Sequence, residues 1–133
     1  MNIDFDKMQG LVPAIVQDAA TGDILMLGFM NDEAWQKTRG IGYVTFYSRT
    51  RNELWTKGET SGNRLKVISV ATDCDRDSLL IRVEVEGAGM VCHEGTRSCF
   101  TKVISGMGNS HPTKTALGGP PSALIEDTQE IAR

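Results

Sequence analysis

Three short segments carry the residue types that could do chemistry. The first is TDCDRDS, residues 72–78, with Asp73, Asp75 and Asp77 at every second position. In an extended chain alternate side chains share a face, and three carboxylates on one face repel unless a cation joins them. Hard oxygen ligands suit Mg²⁺ or Ca²⁺; the plainer alternative is a solvated acidic turn. Counted from Asp73, the run has Ser78 where a calcium loop needs its sixth-position Gly. Cys74 sits between two of the aspartates. In a regular strand it points away from them, so either the strand bends or the sulfur serves a separate site.

The second segment is CHEGTRSC, residues 92–99. Cys92 and Cys99 are soft ligands that favour Zn²⁺. With Cys74 they make three thiols and no evident fourth protein ligand. Closed structural zinc sites use four protein ligands, whereas catalytic sites keep three and leave room for water. His93 is either a fourth ligand, a proton carrier or a surface histidine. Idle, buried thiols are the alternative for the cysteines. The third segment, FYSRTRNELWTKGETSGN (46–63), places Arg49, Arg51 and Lys57 around a polar, glycine-bearing loop. Guanidinium groups grip phosphate with paired hydrogen bonds, and backbone N–H groups of glycine-rich turns add to that grip; a solvated basic hairpin is the other reading. Trp55 reads as a core residue.

The elements that must position these segments are mostly strands. LVPAIVQ (11–17) and ILMLGFM (24–30) flank a Thr-Gly turn and predict a hairpin, with Pro13 at an edge or a strand start. Asn31 caps a helix through NDEAWQKTRG, with Asp32 and Glu33 at the positive end of its dipole and Gly40 as its stop. GYVTFYS (42–48) and ELWTK (53–57) predict a second strand pair. LKVISVAT (65–72) reads as a strand with Leu65, Val67 and Ser69 on one face and Lys66, Ile68 and Val70 on the other, and SLLIRVEVE (78–86) alternates, setting Leu79, Ile81, Val83 and Val85 on one face. The expectation is a mainly β (α+β) domain over residues 1–104, with antiparallel sheets and one early helix. From 105 to 133 a Gly/Pro-rich tail follows, whose last stretch, ALIEDTQEIAR, has the pattern of a short amphipathic helix.

Composition excludes several classes. The 133 residues fit one domain, and a domain of that size buries about two thirds of its unfolded surface. A formal net charge of -3 argues against a nucleic-acid binder driven by phosphate neutralisation. No apolar run approaches the roughly 20 residues of a membrane span. The acid-bearing start, MNIDFDKMQG, does not resemble a secretory leader. A cytoplasmic protein with reduced thiols is expected, without membrane or nucleic-acid partners.

Taken together, LVPAIVQD, ILMLGFMN, TFYSRTRNELWTKGETSGN, the D-C-D-x-D of 73–77 and CHEGTRSCF resemble the phosphoribosyl-AMP cyclohydrolase family over about residues 5–100. The resemblance implies hydrolytic opening of the adenine ring of 1-(5-phosphoribosyl)-AMP between N1 and C6, in histidine biosynthesis. It implies Zn²⁺ on Cys74, Cys92 and Cys99, and Mg²⁺ on Asp73, Asp75 and Asp77. It also implies an intertwined homodimer whose zinc site draws cysteines from both chains. Within it, Arg49, Arg51, Lys57, Thr60, Ser61, Gly62 and Asn63 fall to substrate binding. His93 and Glu59 are the candidates for proton transfer, and Arg97 for a phosphate or the reacting centre. Only about thirty residues follow Phe100, too few for the pyrophosphatase domain that some members carry. A non-catalytic zinc module is the main rival. A purine deaminase is a weaker one, because H-x-E…P-C-x-x-C is absent.

Overall fold

A computed structural model describes residues 1–106 of the chain. The tail expected from residue 105, with its terminal helix, lies outside the described residues save for its first two positions.

Strands β1 (Val12–Asp18) and β2 (Ile24–Met30) form the expected antiparallel hairpin. In β1 every second residue is buried, from Val12 through Ala14 and Val16 to Asp18, so one face of a pleated strand meets the core. Helix α1 (Asp32–Ile41) follows at once. The Asn31 side chain accepts from the Ala34 N–H at 2.9 Å, a cap whose loss costs about 1 kcal/mol. Gly40 does not stop the helix. The left-handed residue is Gly42, with φ +79, and its N–H reaches Thr38 O at 2.9 Å. Gly40 is simply tolerated in the last turn, because a C-cap is set by the backbone conformation that ends the helix.

Strands β3 (Thr45–Ser48) and β4 (Glu53–Thr56) pair antiparallel as a separate two-stranded sheet. Residues 42–44 do not belong to it. Val44 bonds both ways: its carbonyl accepts from Lys57 N at 3.0 Å, while Val44 N bonds Leu65 O and Val67 N bonds Gly42 O, which ties this stretch to β5 (Leu65–Thr72) as well. Strand β6 (Leu79–Val85) is half-buried as its alternation predicts, with Leu79, Ile81 and Val83 inward and Arg82 and Glu84 outward.

The four-stranded sheet runs β2-β1-β6-β5. Its central pair, β1 and β6, is parallel, with Ala14 opposite Leu79 and Asp18 opposite Val83. The sheet is therefore mixed, which corrects the antiparallel expectation: alternation along a strand reports its faces and carries no information on neighbour direction. Pro13 stands at the start of β1, inside the sheet, where pairing with β6 begins only at Ala14. In β5 the register shifts between Val67 and Ser69. One extra residue moves the rest of a strand onto the opposite face, and Ile68 is left 53% exposed. The core joins both sheets. Phe46 is fully buried and stacks at 5.1 Å on Trp55, and Gly28 admits it, since a Cβ there would lie 2.6 Å from the ring.

Candidate active site

A cleft of about 650 Å³ lies between two loops, within the range of small-molecule sites. One wall is β4 with the turn after it: Arg51, Trp55, Lys57, Glu59, Thr60, Ser61 and Asn63. The other is the stretch from Met90 to Gly95, with Cys92 and His93. Glycines bring these walls together. Gly58 has φ +81, and a Cβ there would meet Asn63 O at 2.2 Å. The turn closes through Gly62 N to Gly58 O at 2.8 Å. Asn63 Oδ1 then accepts from Ala88 N at 2.8 Å, across from Gly87, whose added Cβ would sit 2.3 Å from that oxygen. The 58–63 turn is thereby clamped to the chain leaving β6, and that chain runs directly into Cys92.

Within the second wall, Cys92 N bonds Thr96 O at 3.0 Å and Gly95 N bonds Cys92 O at 2.9 Å. This tight turn returns the chain so that the Cys99 thiol neighbours that of Cys92. The Glu94 N–H pointing at its sulfur holds the Cys92 thiol below the usual thiol range, with help from Thr96 and Cys99. Desolvation of the Cys99 sulfur pushes that thiol up, and the adjacent Cys92 adds to the effect. One thiol is thus poised to ionise and the other to resist it.

The aspartates are not on an extended strand. β5 ends at Thr72, and residues 73–78 form a turn with Arg76 at φ +62. Asp73 Oδ1 accepts from Asp77 N at 3.0 Å and Ser78 N at 3.3 Å. Hydrogen bonding from the Ser78 side chain above all, with that of the Asp77 N–H, holds the Asp73 carboxyl far below the usual range. The Asp77 carboxyl is pushed up, chiefly by its hydrogen-bonded neighbour Asp75. The three offer carboxylate oxygens within 4.8 Å of one another. Oxygens bound to one ion at about 2.1–2.5 Å lie roughly 3–5 Å apart, so the donor set fits a hard divalent cation. Lys7, which the sequence did not flag, reaches Asp75 at 3.0 Å and Asp77 at 3.5 Å. Asp4 N bonds Arg76 O at 2.7 Å, so the N-terminal segment lies along the turn.

Other expected site residues fall elsewhere. Cys74 lines a different cavity, with Ile3, Trp35 and Leu79. Among the described residues the aspartates are the one cluster of three or more such ligands, so the three cysteines do not meet within one chain. Cys92 and Cys99 fit two positions of a thiolate metal site. Arg49 stacks over the Phe29 ring at 5.0 Å, outside the cleft. Gly62 shapes the turn without lining the cleft. Arg97 does not line it either: its guanidinium bonds Asp18 and Asp23. Asp18 and Asp23 carried no sequence signal, since each is a single acid in a turn remote from residue 97.

Fold and site together define a small α+β domain with a polar, cation-rimmed cleft beside paired thiols and a separate carboxylate trio. The family profile described as phosphoribosyl-AMP cyclohydrolase matches residues 26–101. The phosphoribosyl-AMP cyclohydrolase of Desulfatibacillum aliphaticivorans is 55% identical over 106 residues, 80% of this chain and 84% of its own. That of Solibacter usitatus is 56% identical over 100 residues, 75% of this chain and 79% of its own. The histidine biosynthesis bifunctional protein HisIE of Bacteroides thetaiotaomicron is 61% identical over 100 residues, 75% of this chain but 48% of the relative. The chain thus spans about half the length of the bifunctional relatives it matches. It belongs to the phosphoribosyl-AMP cyclohydrolase family of enzymes.

Proposed function

We propose that the chain hydrolyses 1-(5-phosphoribosyl)-AMP at the N1–C6 bond, as a homodimeric, zinc- and magnesium-dependent enzyme of histidine biosynthesis in the cytoplasm. The observation that carries this is the facing of the 57–63 turn and the Cys92–His93 segment across one cleft. The supporting names are those of the relatives. No helix among the described residues is long and apolar enough to cross a membrane.

The chain's own residues divide the work. Arg51 and Lys57 stand at the cleft, where charge-assisted bonds hold a phosphate. The Thr60 and Ser61 hydroxyls and Asn63 orient the sugar and base. A ribosyl group on N1 makes the purine cationic and C6 electrophilic. Zinc, when bound, acts as a Lewis acid and lowers the pKa of a water. In the hydrolysis the oxygen of water adds to C6, the C6–N1 bond breaks, and C6 leaves the ring as a carboxamide. Glu59 takes the proton of the attacking water, and His93 delivers one to N1. Both line the same cleft, which geometry requires of an acid–base pair. Cys92 and Cys99 supply two zinc ligands, and Cys74 of a second copy the third. That sharing accounts for the placement of Cys74 in a different cavity. Asp73, Asp75 and Asp77 would hold Mg²⁺, which would supply positive charge against substrate phosphate.

Opening the purine changes its ultraviolet spectrum, so the test is an absorbance assay with phosphoribosyl-AMP. Protein supplied with zinc and magnesium should turn over, and chelated protein should not. No turnover by folded, metal-supplied protein would remove the assignment.

A further inference from the structure

The fold uses Arg97 for something other than contact with the reacting atoms. Its guanidinium pairs with Asp18 and, through Nε, with Asp23 at 3.5 Å. Asp18 is only 5% exposed, at the end of β1 where the hairpin turns. Its second oxygen is already taken by Ala20 N at 2.8 Å and Thr21 N at 3.3 Å. Arg97 is the cation that offsets this buried charge, and removing one member of such a pair leaves the other uncompensated. The neighbouring residues dock on the same hairpin. Ser98 Oγ donates to Ile24 O at 2.8 Å and Cys99 N to Leu25 O at 2.8 Å. Thr96 Oγ1 donates to Ser98 O at 2.7 Å. Residues 96–99 thus lie along the start of β2, anchored by an ion pair between half-exposed Arg97 and buried Asp18 and by two hydrogen bonds to backbone carbonyls.

We infer that Arg97, through Asp18, is a positioning residue: it pins the 96–99 segment to the β1–β2 hairpin and so sets the Cys99 thiol beside Cys92. The part of this inference that concerns zinc rests on the function proposed above; the part that concerns the two thiols does not. Arg97 lacks contact with the cleft, yet the loop it anchors carries both thiols.

The test compares wild type with Arg97→Met, Asp18→Asn and Arg97→Lys, each first shown to be folded by circular dichroism and thermal unfolding. Asp18→Asn keeps an oxygen for Ala20 N and Thr21 N and weakens only the ionic bond, which guards against wholesale unfolding. The first readout uses metal-free protein and dibromobimane, which fluoresces once both arms are thiol-bound; peptide mapping identifies the bridged pair. Bridging of Cys92 to Cys99 should slow about tenfold in R97M, less in D18N, and recover in R97K, which keeps a cation. The second readout is zinc affinity by competition with a chromophoric chelator. It should fall roughly 10–100-fold in R97M, the scale seen when groups that orient metal ligands are removed, with kcat regained at saturating zinc. Folded R97M with unchanged bridging and unchanged zinc affinity overturns the inference. So does R97M that keeps both but loses kcat at saturating zinc, which would make Arg97 a catalytic residue. If wild type binds no zinc, the proposed function fails, and the bridging rates still decide the role of Arg97.

Discussion

The aspartate turn and the cysteine loop are two candidate ligand sets of the same chain, built in opposite ways. Asp73, Asp75 and Asp77 fall within five residues and are gathered by the turn's own hydrogen bonds, from Asp77 N and Ser78 N to Asp73. A single chain presents the set whole. The thiols come from positions 74, 92 and 99. Two of them meet only because the chain after β6 folds back onto the β1–β2 hairpin, and the third lies in a different cavity. A site made by local turn geometry survives distant changes. A site made by long-range docking depends on every contact along the way and, in the proposed dimer, on a second copy.

The largest expected effect tests that last dependence. Cys74→Ser and Cys92→Ser should each abolish turnover of phosphoribosyl-AMP. Unfolding and refolding the two variants together should restore about a quarter of wild-type activity, because half the dimers are mixed and each mixed dimer keeps one of its two sites intact. Mixing that restores nothing would place all three cysteines in one chain and end the contrast.

Next in size is Gly87→Ala. It combines φ +72 with a Cβ 2.3 Å from Asn63 Oδ1, so it should cost about 1–3 kcal/mol in chemical denaturation. It should also raise KM by displacing the 58–63 turn, while magnesium affinity, measured by titration calorimetry, stays as in wild type. A parallel loss of magnesium affinity would show that the two regions are not independent.

Within the cysteine loop the two thiols themselves should separate. The thiolate is the reactive form, and Cys92 is shifted down while Cys99 is shifted up. In metal-free protein, raising the pH from neutrality should therefore alkylate Cys92 first and Cys99 only at higher pH, as read by mass spectrometry of the labelled peptides. Equal labelling curves would contradict the asymmetry.

The smallest effect belongs to Lys7. Its ammonium meets Asp75 and Asp77, where the proposed divalent ion would have to displace it. Exposed ion pairs are weak, so Lys7→Met should tighten magnesium binding by only about two- to fivefold. Weaker binding would mean that Lys7 assists the metal.

Much of this architecture was legible in the residues. The β1–β2 hairpin, the Asn31 cap, the β3–β4 pair and the inward face of β6 follow from alternation, turn chemistry and capping, all properties of neighbouring residues. The carboxylate trio belongs with them, although its geometry is a turn where an extended chain was expected; either backbone gathers side chains so close in sequence. The metal-type segments, and their membership in a cyclohydrolase family, were likewise present in residue order alone.

Tertiary structure decided what joins distant residues. The parallel pairing of β1 with β6, the facing of the 57–63 turn and the Cys92 loop, the Arg97–Asp18 pair and the hold of Lys7 on the aspartate turn all bridge long stretches of chain. No local period encodes them. They exist because the buried faces of β1 and β6 lie side by side in one sheet, and that packing sets where the loops emerge. The bulge in β5 is shared between the two: the apolar alternation slips at Val67–Ile68, and pairing with β6 shows that an extra residue is accommodated there.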